Sequence, residues 1–225
     1  MESHNLNINR LLNSEIEIPY NDFMNPTSLI DINENVLMCQ TGYLTLRSEI
    51  VPGYDIILGP ANREVRTALF LLLSLKIFDT NNSAFSLKNR YVFENGTVED
   101  IIALFNDVLS TLSYDKYPVD NESVLRALLQ VYLLGRNLDV RIEQHNCKGR
   151  SDILVNFSKR RVVLELKYTV KTSEEQQKLK DAEQQIIEKN YGLQNLHDRE
   201  LLQIACVFNG DKDKRQITVY KKVDL

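Results

Sequence analysis

The chain has 225 residues, of which 43% are hydrophobic and 26% charged, the ordinary balance of a globular protein with one or two domains. No apolar run reaches about 18 residues and no signal peptide is recognisable, so a membrane span is excluded; with only three scattered cysteines, a cytoplasmic protein is expected. The formal net charge of −4 argues against a broadly basic nucleic-acid-binding surface, although a local basic patch is compatible with it.

The first part of the chain is predicted to contain a hairpin and a helix. Residues 1–35 are polar and interrupted by prolines, so they are interpreted as a loosely structured lead-in. A helix end or short strand and then a β-hairpin are expected over residues 36–60. Asn62 can cap a helix over residues 63–78, because the apolar residues of that segment recur at helical spacing.

A domain boundary is predicted in the middle of the chain. Residues 79–95 are expected to form a loop, after which Thr97-Val98-Glu99-Asp100 has the pattern of a capping box that begins a helix. Pro118 lies in a predicted linker, which places the boundary near residue 115. The two predicted domains are a connector region, 1–115, and a second domain, 116–225.

The second domain is predicted to have the element order α-β-β-β-α-β-β. Asp120 or Asn121 can cap its first helix, and Ser173-Glu174-Glu175-Gln176 has the pattern of a second capping box. The predicted elements are a helix over 122–134, strands over about 139–145, 149–155 and 162–168, a helix over about 173–190, and strands over 201–209 and 216–223.

Charged residues interrupt the second and third of these strands. Side chains of a strand point to alternate faces, so Glu165 and Lys167 share a face with Val163. If the two strands pair as a hairpin with an odd residue sum, Asp152 lies nearly opposite Lys167 on that face. Burying such charges is costly unless they are paired, hydrogen-bonded or bound to a cation.

The motif of Asp152 followed by Glu165-Leu166-Lys167, on the second and third strands of this order, resembles the PD-(D/E)XK nuclease superfamily. The resemblance implies an α/β (α+β) restriction-endonuclease-like core. It implies that Asp152 and Glu165 bind a divalent metal and that Lys167 activates or holds the attacking water. It also implies an acid from the first helix, where Glu122 stands, and a glutamine from the helix after the third strand. Gln185 is the match for that glutamine, with Gln184 as the fallback.

The chemistry of the motif suggests further ligands. Hard oxygen donors such as Asp152, Glu165 and the Leu166 carbonyl suit Mg²⁺, with Mn²⁺ as the other candidate. Arg150, beside Asp152, could hold a phosphate with its planar guanidinium.

A wider resemblance extends beyond the motif. Residues 40–45 and 59–66, and likewise 149–152 and 185–191, resemble a bacterial family that fuses an AAA-type ATPase-like module to a C-terminal PD-(D/E)XK nuclease domain. The chain has no G-x-x-x-x-G-K-[ST] phosphate loop, so no ATP hydrolysis is expected of this trimmed or naturally short form. Residues before 115 would then be the connector, and an ATPase acting in trans is an implied partner.

The leading hypothesis is a divalent-metal-dependent nuclease that hydrolyses phosphodiester bonds, with DNA as the expected substrate. The alternative is a catalytically inactive nuclease-fold module that binds nucleic acid or a protein partner, which the acidic net charge favours. At the level of single residues, Asp152 could be a turn residue paired with Arg150, and Glu165 and Lys167 could lie exposed on an edge strand. Lys159-Arg160-Arg161 is interpreted as a charged hairpin turn, with nucleic-acid contact as the lesser interpretation.

Overall fold

Two compact units make up the protein. The computed structural model describes residues 15–25, 32–78, 84–138, 140–141, 145–146, 149–150 and 152–224, with the backbone alone described at 84–88, 141, 145–146 and 149–150. Contacts divide the chain into Met1–Leu69, the N-terminal unit, and Phe70–Leu225, the C-terminal unit. This division does not coincide with the boundary near residue 115, which stays a prediction. Among the described residues, no helix is both long and apolar enough to cross a membrane.

A small antiparallel sheet of strand order β1-β3-β2 organises the N-terminal unit. Its elements are β1 (Ile16–Ile18), α1 (Tyr20–Met24), α2 (Glu34–Gln40), β2 (Leu44–Leu46), β3 (Ile56–Pro60) and the first part of α3 (Arg63–Phe78). The core consists of Ile16, Ile18, Val36, Leu44, Ile56 and Leu58. The predicted hairpin is confirmed as the β2–β3 pair, and Asn62 caps α3 by accepting a hydrogen bond from the Val65 N–H (2.8 Å).

The C-terminal unit begins with the rest of α3, which is followed by α4 (Ala84–Asn95), α5 (Val98–Ser110) and α6 (Glu122–Gly135) before the large sheet. Both predicted caps are confirmed, because Thr97 and Asp100 form a reciprocal capping box and Asn121 accepts a hydrogen bond from the Val124 N–H (3.0 Å). The loop predicted over 79–95 is wrong for the part that forms α4. That helix is stabilised by tertiary packing, with Phe93 fully buried edge-to-face against Phe105.

The large sheet has the strand order β10-β9-β8-β7-β4. Its strands are β4 (Val140–Arg141), β7 (Ile153–Asn156), β8 (Arg160–Thr169), β9 (Glu200–Asn209) and β10 (Gln216–Val223), while β5 (His145–Asn146) and β6 (Gly149–Arg150) form a separate pair. The helix α7 (Glu175–Lys189) connects β8 to β9, which are parallel, as such a crossover requires. The predicted order α-β-β-β-α-β-β is therefore confirmed for α6, α7 and the strands of the large sheet. Within the strand predicted over 139–145, β4 covers Val140–Arg141, and residues 139 and 142–144 lie outside the described part of the chain. The single strand predicted over 149–155 is wrong, because Gly149–Arg150 pairs with His145–Asn146 and β7 begins at Ile153, just after Asp152.

The capping box predicted at residues 173–176 is wrong. Residues Thr172–Glu174 form a short 3₁₀ turn, and Glu174 makes no side-chain capping bond at the start of α7. Glu175 is instead buried, and its Oε1 accepts hydrogen bonds from Asn209 Nδ2 (2.6 Å) and Thr218 Oγ1 (2.9 Å). The first residue of α7 is therefore held by side chains of β9 and β10, in place of the predicted box between Ser173 and Gln176.

Candidate active site

The pairing of β7 with β8 places Asp152 beside Glu165. The register joins Ile153 to Leu164 and Leu154 to Val163, which is an odd residue sum, as predicted. Continued by one residue, it sets Asp152 opposite Glu165, so the expectation that Asp152 lies opposite Lys167 is wrong by two residues. The cause is a tight turn, closed by the Phe157 N–H donating to the Arg160 carbonyl (2.8 Å).

Three hydrogen bonds fix Asp152, which is buried at the start of β7. Its Oδ2 accepts from the Leu166 N–H (2.9 Å), its Oδ1 accepts from Arg126 Nη1 (3.0 Å), and its carbonyl accepts from Gln130 Nε2 (3.0 Å). Asp152 is thus paired with Arg126. The side chain of Arg150, the alternative partner and the predicted phosphate ligand, lies outside the described residues.

Glu165 is a carboxylate at the centre of the sheet, only 1% exposed. Because Glu165 is buried and the Lys167 side chain is only 14% exposed, the interpretation of these residues as an exposed edge ladder is wrong. Glu165 Oε1 accepts from Lys167 Nζ (3.1 Å), whereas the buried Oε2 has no hydrogen-bond partner within the described part of the chain. Burial, reinforced by the negative charge of Asp152 and opposed by Lys167, raises the pKa of Glu165 to about 8.

Lys167 connects this strand to α6. Its Nζ contacts Glu165 Oε1 and also lies 3.4 Å from Glu122 Oε1. Burial alone would lower the pKa of Lys167, but the carboxylates of Glu165 and Glu122 outweigh burial and raise it. Burial likewise raises the pKa of Glu122, with Lys167 opposing this effect and Asp152 adding to it. Three acids and the ammonium group therefore form one electrostatically coupled cluster.

One face of α6 supplies polar groups to this cluster. Glu122, Arg126 and Gln130 follow one another at intervals of four residues, which places them on the same side of a helix. They reach Lys167, the Asp152 carboxylate and the Asp152 carbonyl, respectively. Sequence reasoning identified only Glu122. The signal for Arg126 and Gln130 was this spacing of polar residues within a leucine-rich helix.

Gln185 contacts Tyr191, whose pKa is affected by the charges of the cluster. Its Nε2 donates to the hydroxyl of Tyr191 (3.1 Å), a buried residue of the core between α7 and the sheet. Burial raises the pKa of Tyr191; the hydrogen bond from Gln185 opposes this, and the charges of Glu165 and Asp152 add to it. The fallback residue, Gln184, is exposed and donates to Glu188 (2.7 Å).

The basic hairpin turn makes internal contacts. Arg160 forms an ion pair with Glu200 (2.9 Å) and donates to the Gly96 carbonyl (2.8 Å). Arg161 is buried and donates to the carbonyls of Gly192 and Gln194, both at 2.6 Å. These contacts favour the interpretation of the segment as a charged turn over nucleic-acid contact.

The donor set of the cluster fits Mg²⁺. Within the described residues, no group of three or more His, Cys, Asp or Glu side chains is arranged to hold a metal. Mg²⁺ does not require one, since it typically binds one or two carboxylates and keeps several waters. Asp152 and Glu165 supply two carboxylates, and the Leu166 carbonyl lies on the same side of β8 as the N–H that contacts Asp152. The unsatisfied Glu165 Oε2 is an oxygen that a cation would stabilise.

The fold and this cluster define a mixed α/β protein with a restriction-endonuclease-like core and a D…E-x-K set. A family model of the PD-(D/E)XK nuclease superfamily matches residues 120–217. The match runs from the start of α6 into β10 and contains Asp152, Glu165 and Lys167. No curated protein matches the chain.

Proposed function

We propose that the protein is a divalent-metal-dependent nuclease that hydrolyses phosphodiester bonds in DNA. The observation that carries the proposal is the buried Oε2 of Glu165, beside the carboxylate of Asp152, for which the described residues supply no hydrogen-bond partner. Two adjacent carboxylates with an unsatisfied oxygen are unfavourable in a protein interior unless a cation or a proton neutralises them. The match of residues 120–217 to a nuclease superfamily supports the same conclusion.

Asp152, Glu165 and the Leu166 carbonyl would hold Mg²⁺ or Mn²⁺. Bound there, the ion would supply electrostatic stabilisation for the charge that develops on the phosphoryl oxygens. Lys167, held between Glu165 and Glu122, orients the attacking water or contacts the phosphate. Glu122 fixes the position of that ammonium group. Gln185 contributes indirectly, because it holds the hydroxyl of Tyr191 through a hydrogen bond. Arg150 stays a candidate phosphate ligand.

A nuclease-fold module that binds without cutting is the competing function. The ion pair between Arg126 and Asp152 favours it, because a permanent guanidinium at Asp152 Oδ1 would replace the metal. The net charge of −4 favours the form of this module that binds a protein partner, since no excess of positive charge draws the protein to nucleic acid.

A plasmid-nicking assay tests the proposal. Supercoiled DNA is incubated with wild type, Asp152→Asn and Lys167→Met in Mg²⁺, in Mn²⁺ and in chelator, with a structured RNA as the second substrate. We expect metal-dependent nicking of DNA that falls by at least roughly 100-fold in both variants. Gln184→Ala is the matched control, because this residue is exposed and lies on the helix next to Gln185. Metal-dependent binding of DNA without any cleavage would favour the binding module, and nicking that persists in both variants would refute the site.

The finer relationship, to the bacterial family that fuses an ATPase-like module to the nuclease domain, is part of the proposal. It predicts that an ATPase carrying a phosphate loop stimulates nicking when it is added in trans. The same assay measures this effect, with an ATPase variant lacking the phosphate-loop lysine as the control.

A further inference from the structure

Arg126 contacts the proposed metal ligand Asp152 from α6. Its Nη1 lies 3.0 Å from Asp152 Oδ1, and the two side chains are 17% and 7% exposed. The other Asp152 oxygen, Oδ2, accepts the Leu166 N–H. The backbone therefore contacts Oδ2 and the guanidinium contacts Oδ1, so Oδ1 is the oxygen that a cation would bind.

The negative and positive charges of the side chains around Asp152 nearly cancel. Three acids, Asp152, Glu165 and Glu122, face two bases, Lys167 and Arg126. A dication added beside Asp152 would experience strong repulsion from a guanidinium that stayed in place, because like charges at such short distances repel even across a partly solvated site. Binding of the ion and the Arg126–Asp152 contact therefore oppose each other.

The same guanidinium also contacts the first turn of α6. Its Nη2 lies 3.4 Å from the hydroxyl of Ser123, an exposed residue in the first turn of α6. Glu122, which contacts Lys167, lies in the same turn. A rotation of the Arg126 side chain towards Ser123 would place its planar donors at the solvent-facing side of the cluster, where a phosphate would approach. Arginine suits that contact because it can donate two parallel hydrogen bonds to a phosphate.

We propose that Arg126 is the resident cation of the metal-free site, which leaves Asp152 when a divalent ion binds and then contacts a backbone phosphate of the nucleic acid. The proposal rests on the proposed function, since it requires both a metal and a phosphate ligand. Arg126 is thus a positioning residue that couples metal binding to nucleic-acid binding.

Metal affinity provides the first test. Calorimetric titration with Mn²⁺ compares wild type, Arg126→Gln and Arg126→Lys, with Arg90→Gln as the matched control because Arg90 forms an exposed ion pair with Glu94. We expect Arg126→Gln to bind Mn²⁺ about 10-fold more tightly, since the competing charge is absent. We expect Arg126→Lys, which keeps the charge, and Arg90→Gln to stay within about threefold of wild type. Equal or weaker Mn²⁺ binding by Arg126→Gln would overturn the proposal.

Binding of DNA provides the second test. It is measured in a Lys167→Met background, so that the DNA stays intact, with and without Mn²⁺. We expect Arg126→Gln to weaken DNA binding about 10-fold in Mn²⁺ and by less than threefold in chelator. An equal loss under both conditions would show that Arg126 contacts phosphate without being released by the metal, and would overturn the coupling.

A third measurement observes the wild-type protein, and a variant is needed only to assign the resonance. The side-chain ¹⁵Nε resonance of Arg126, assigned by its absence in Arg126→Lys, should shift when Mg²⁺ saturates the site. If the resonance stays unchanged at saturation, Arg126 has not moved and the proposal fails while the proposed function stands. If wild type binds neither Mg²⁺ nor Mn²⁺, the proposed function fails and this inference fails with it.

Discussion

Replacing Glu165 with glutamine removes an ionisable group whose pKa the fold raises to about 8 from an ordinary value of 4.5. Between these two pH values, the folded metal-free protein keeps a proton on Glu165 that the unfolded chain releases. The folded state then binds more protons than the unfolded state, so the contribution of this group to the free energy of unfolding falls as the pH rises through the window. Below about pH 4.5 and above about pH 8 the contribution is constant.

The change in the free energy of unfolding is large for a single side chain. A pKa difference of this size corresponds to on the order of 4–5 kcal/mol across the window. Total stabilities of domains are about 5–15 kcal/mol, so the ionised, metal-free protein would lose a considerable part of its stability. Glutamine has the same shape and stays neutral at every pH. We therefore expect the stability advantage of Glu165→Gln over wild type to grow by several kcal/mol between pH 5 and pH 9.

Denaturant unfolding in chelator at pH 5 to 9 measures this effect. The informative quantity is the difference between wild type and Glu165→Gln at each pH, because all other titrating groups are common to both proteins. Glu99→Gln, which changes an exposed glutamate of α5, is the control for a glutamate-to-glutamine substitution outside the cluster. A constant difference for Glu165→Gln would refute the reasoning, since it would mean that Glu165 has an ordinary pKa.

Metal binding should expel the same proton. At pH 7, one unit below a pKa of about 8, the carboxyl of Glu165 is about 90% protonated, so a bound Mg²⁺ would release about 0.9 proton. At pH 9 the release should fall to about 0.1 proton. Calorimetry in two buffers with different ionisation enthalpies measures this number directly. Equal release at both pH values would contradict the assignment of the proton to Glu165.

Three further predictions concern stability. Asn106→Ala should lower the free energy of unfolding by about 1–3 kcal/mol, because the Asn106 amide bonds both the N–H (2.8 Å) and the carbonyl (3.1 Å) of Ile217 at the edge of the sheet; an unchanged urea midpoint would contradict this. Arg161→Met should lower the free energy of unfolding by about 3–5 kcal/mol, because it removes the buried donors to the carbonyls of the loop that follows residue 190. It should also speed proteolysis within this loop, and cleavage sites identified by mass spectrometry check the location. Gly192→Ala should destabilise the protein by about 1–3 kcal/mol, since φ of Gly192 is +85° and an added Cβ would lie 2.6 Å from Val163 Cγ2. Thermal unfolding measures the loss, with Gly53→Ala as the control. Gly53 also has a positive φ, but an added Cβ there would meet nothing within 4 Å, so the comparison separates the steric clash from the backbone strain.

The order of elements and the shared face of the site residues could be predicted because both are local properties. Runs of Val, Ile and Leu identify β7, β8 and β9, and alternation along β8 fixes Glu165 and Lys167 on one side. The helix starts at Thr97 and Asn121 were recognisable for the same reason, since each cap involves residues only three positions apart.

The partners across the site depend on tertiary structure and could not be predicted. The register of β7 with β8 depends on how tightly the turn closes, and the turn shifted the partner of Asp152 from Lys167 to Glu165. Arg126 and Gln130 have the correct spacing on α6, but the residues that they contact are set by the packing of that helix on the sheet. The carboxylate of Glu175 shows the same effect, because its buried partners lie on β9 and β10.

The unusual chemistry of the cluster follows from where β7 stops. The pairing of β7 with β8 ends at Ile153–Leu164, whereas β9 pairs with β8 over its whole length to Thr169. Beyond Leu164, β8 is therefore paired with β9 on one side. On its other side, the Leu166 N–H donates to the carboxylate of Asp152 instead of to a neighbouring strand. That arrangement brings one carboxylate and one backbone carbonyl close to the buried Glu165, whose Oε2 accepts no hydrogen bond from the residues that the structure describes. The raised pKa of Glu165 and the guanidinium on Asp152 are then two responses to the same excess of negative charge, one by a proton and one by a side chain. Because both can be displaced, a dication that replaces them would stabilise the folded protein most at high pH, where the proton is no longer available.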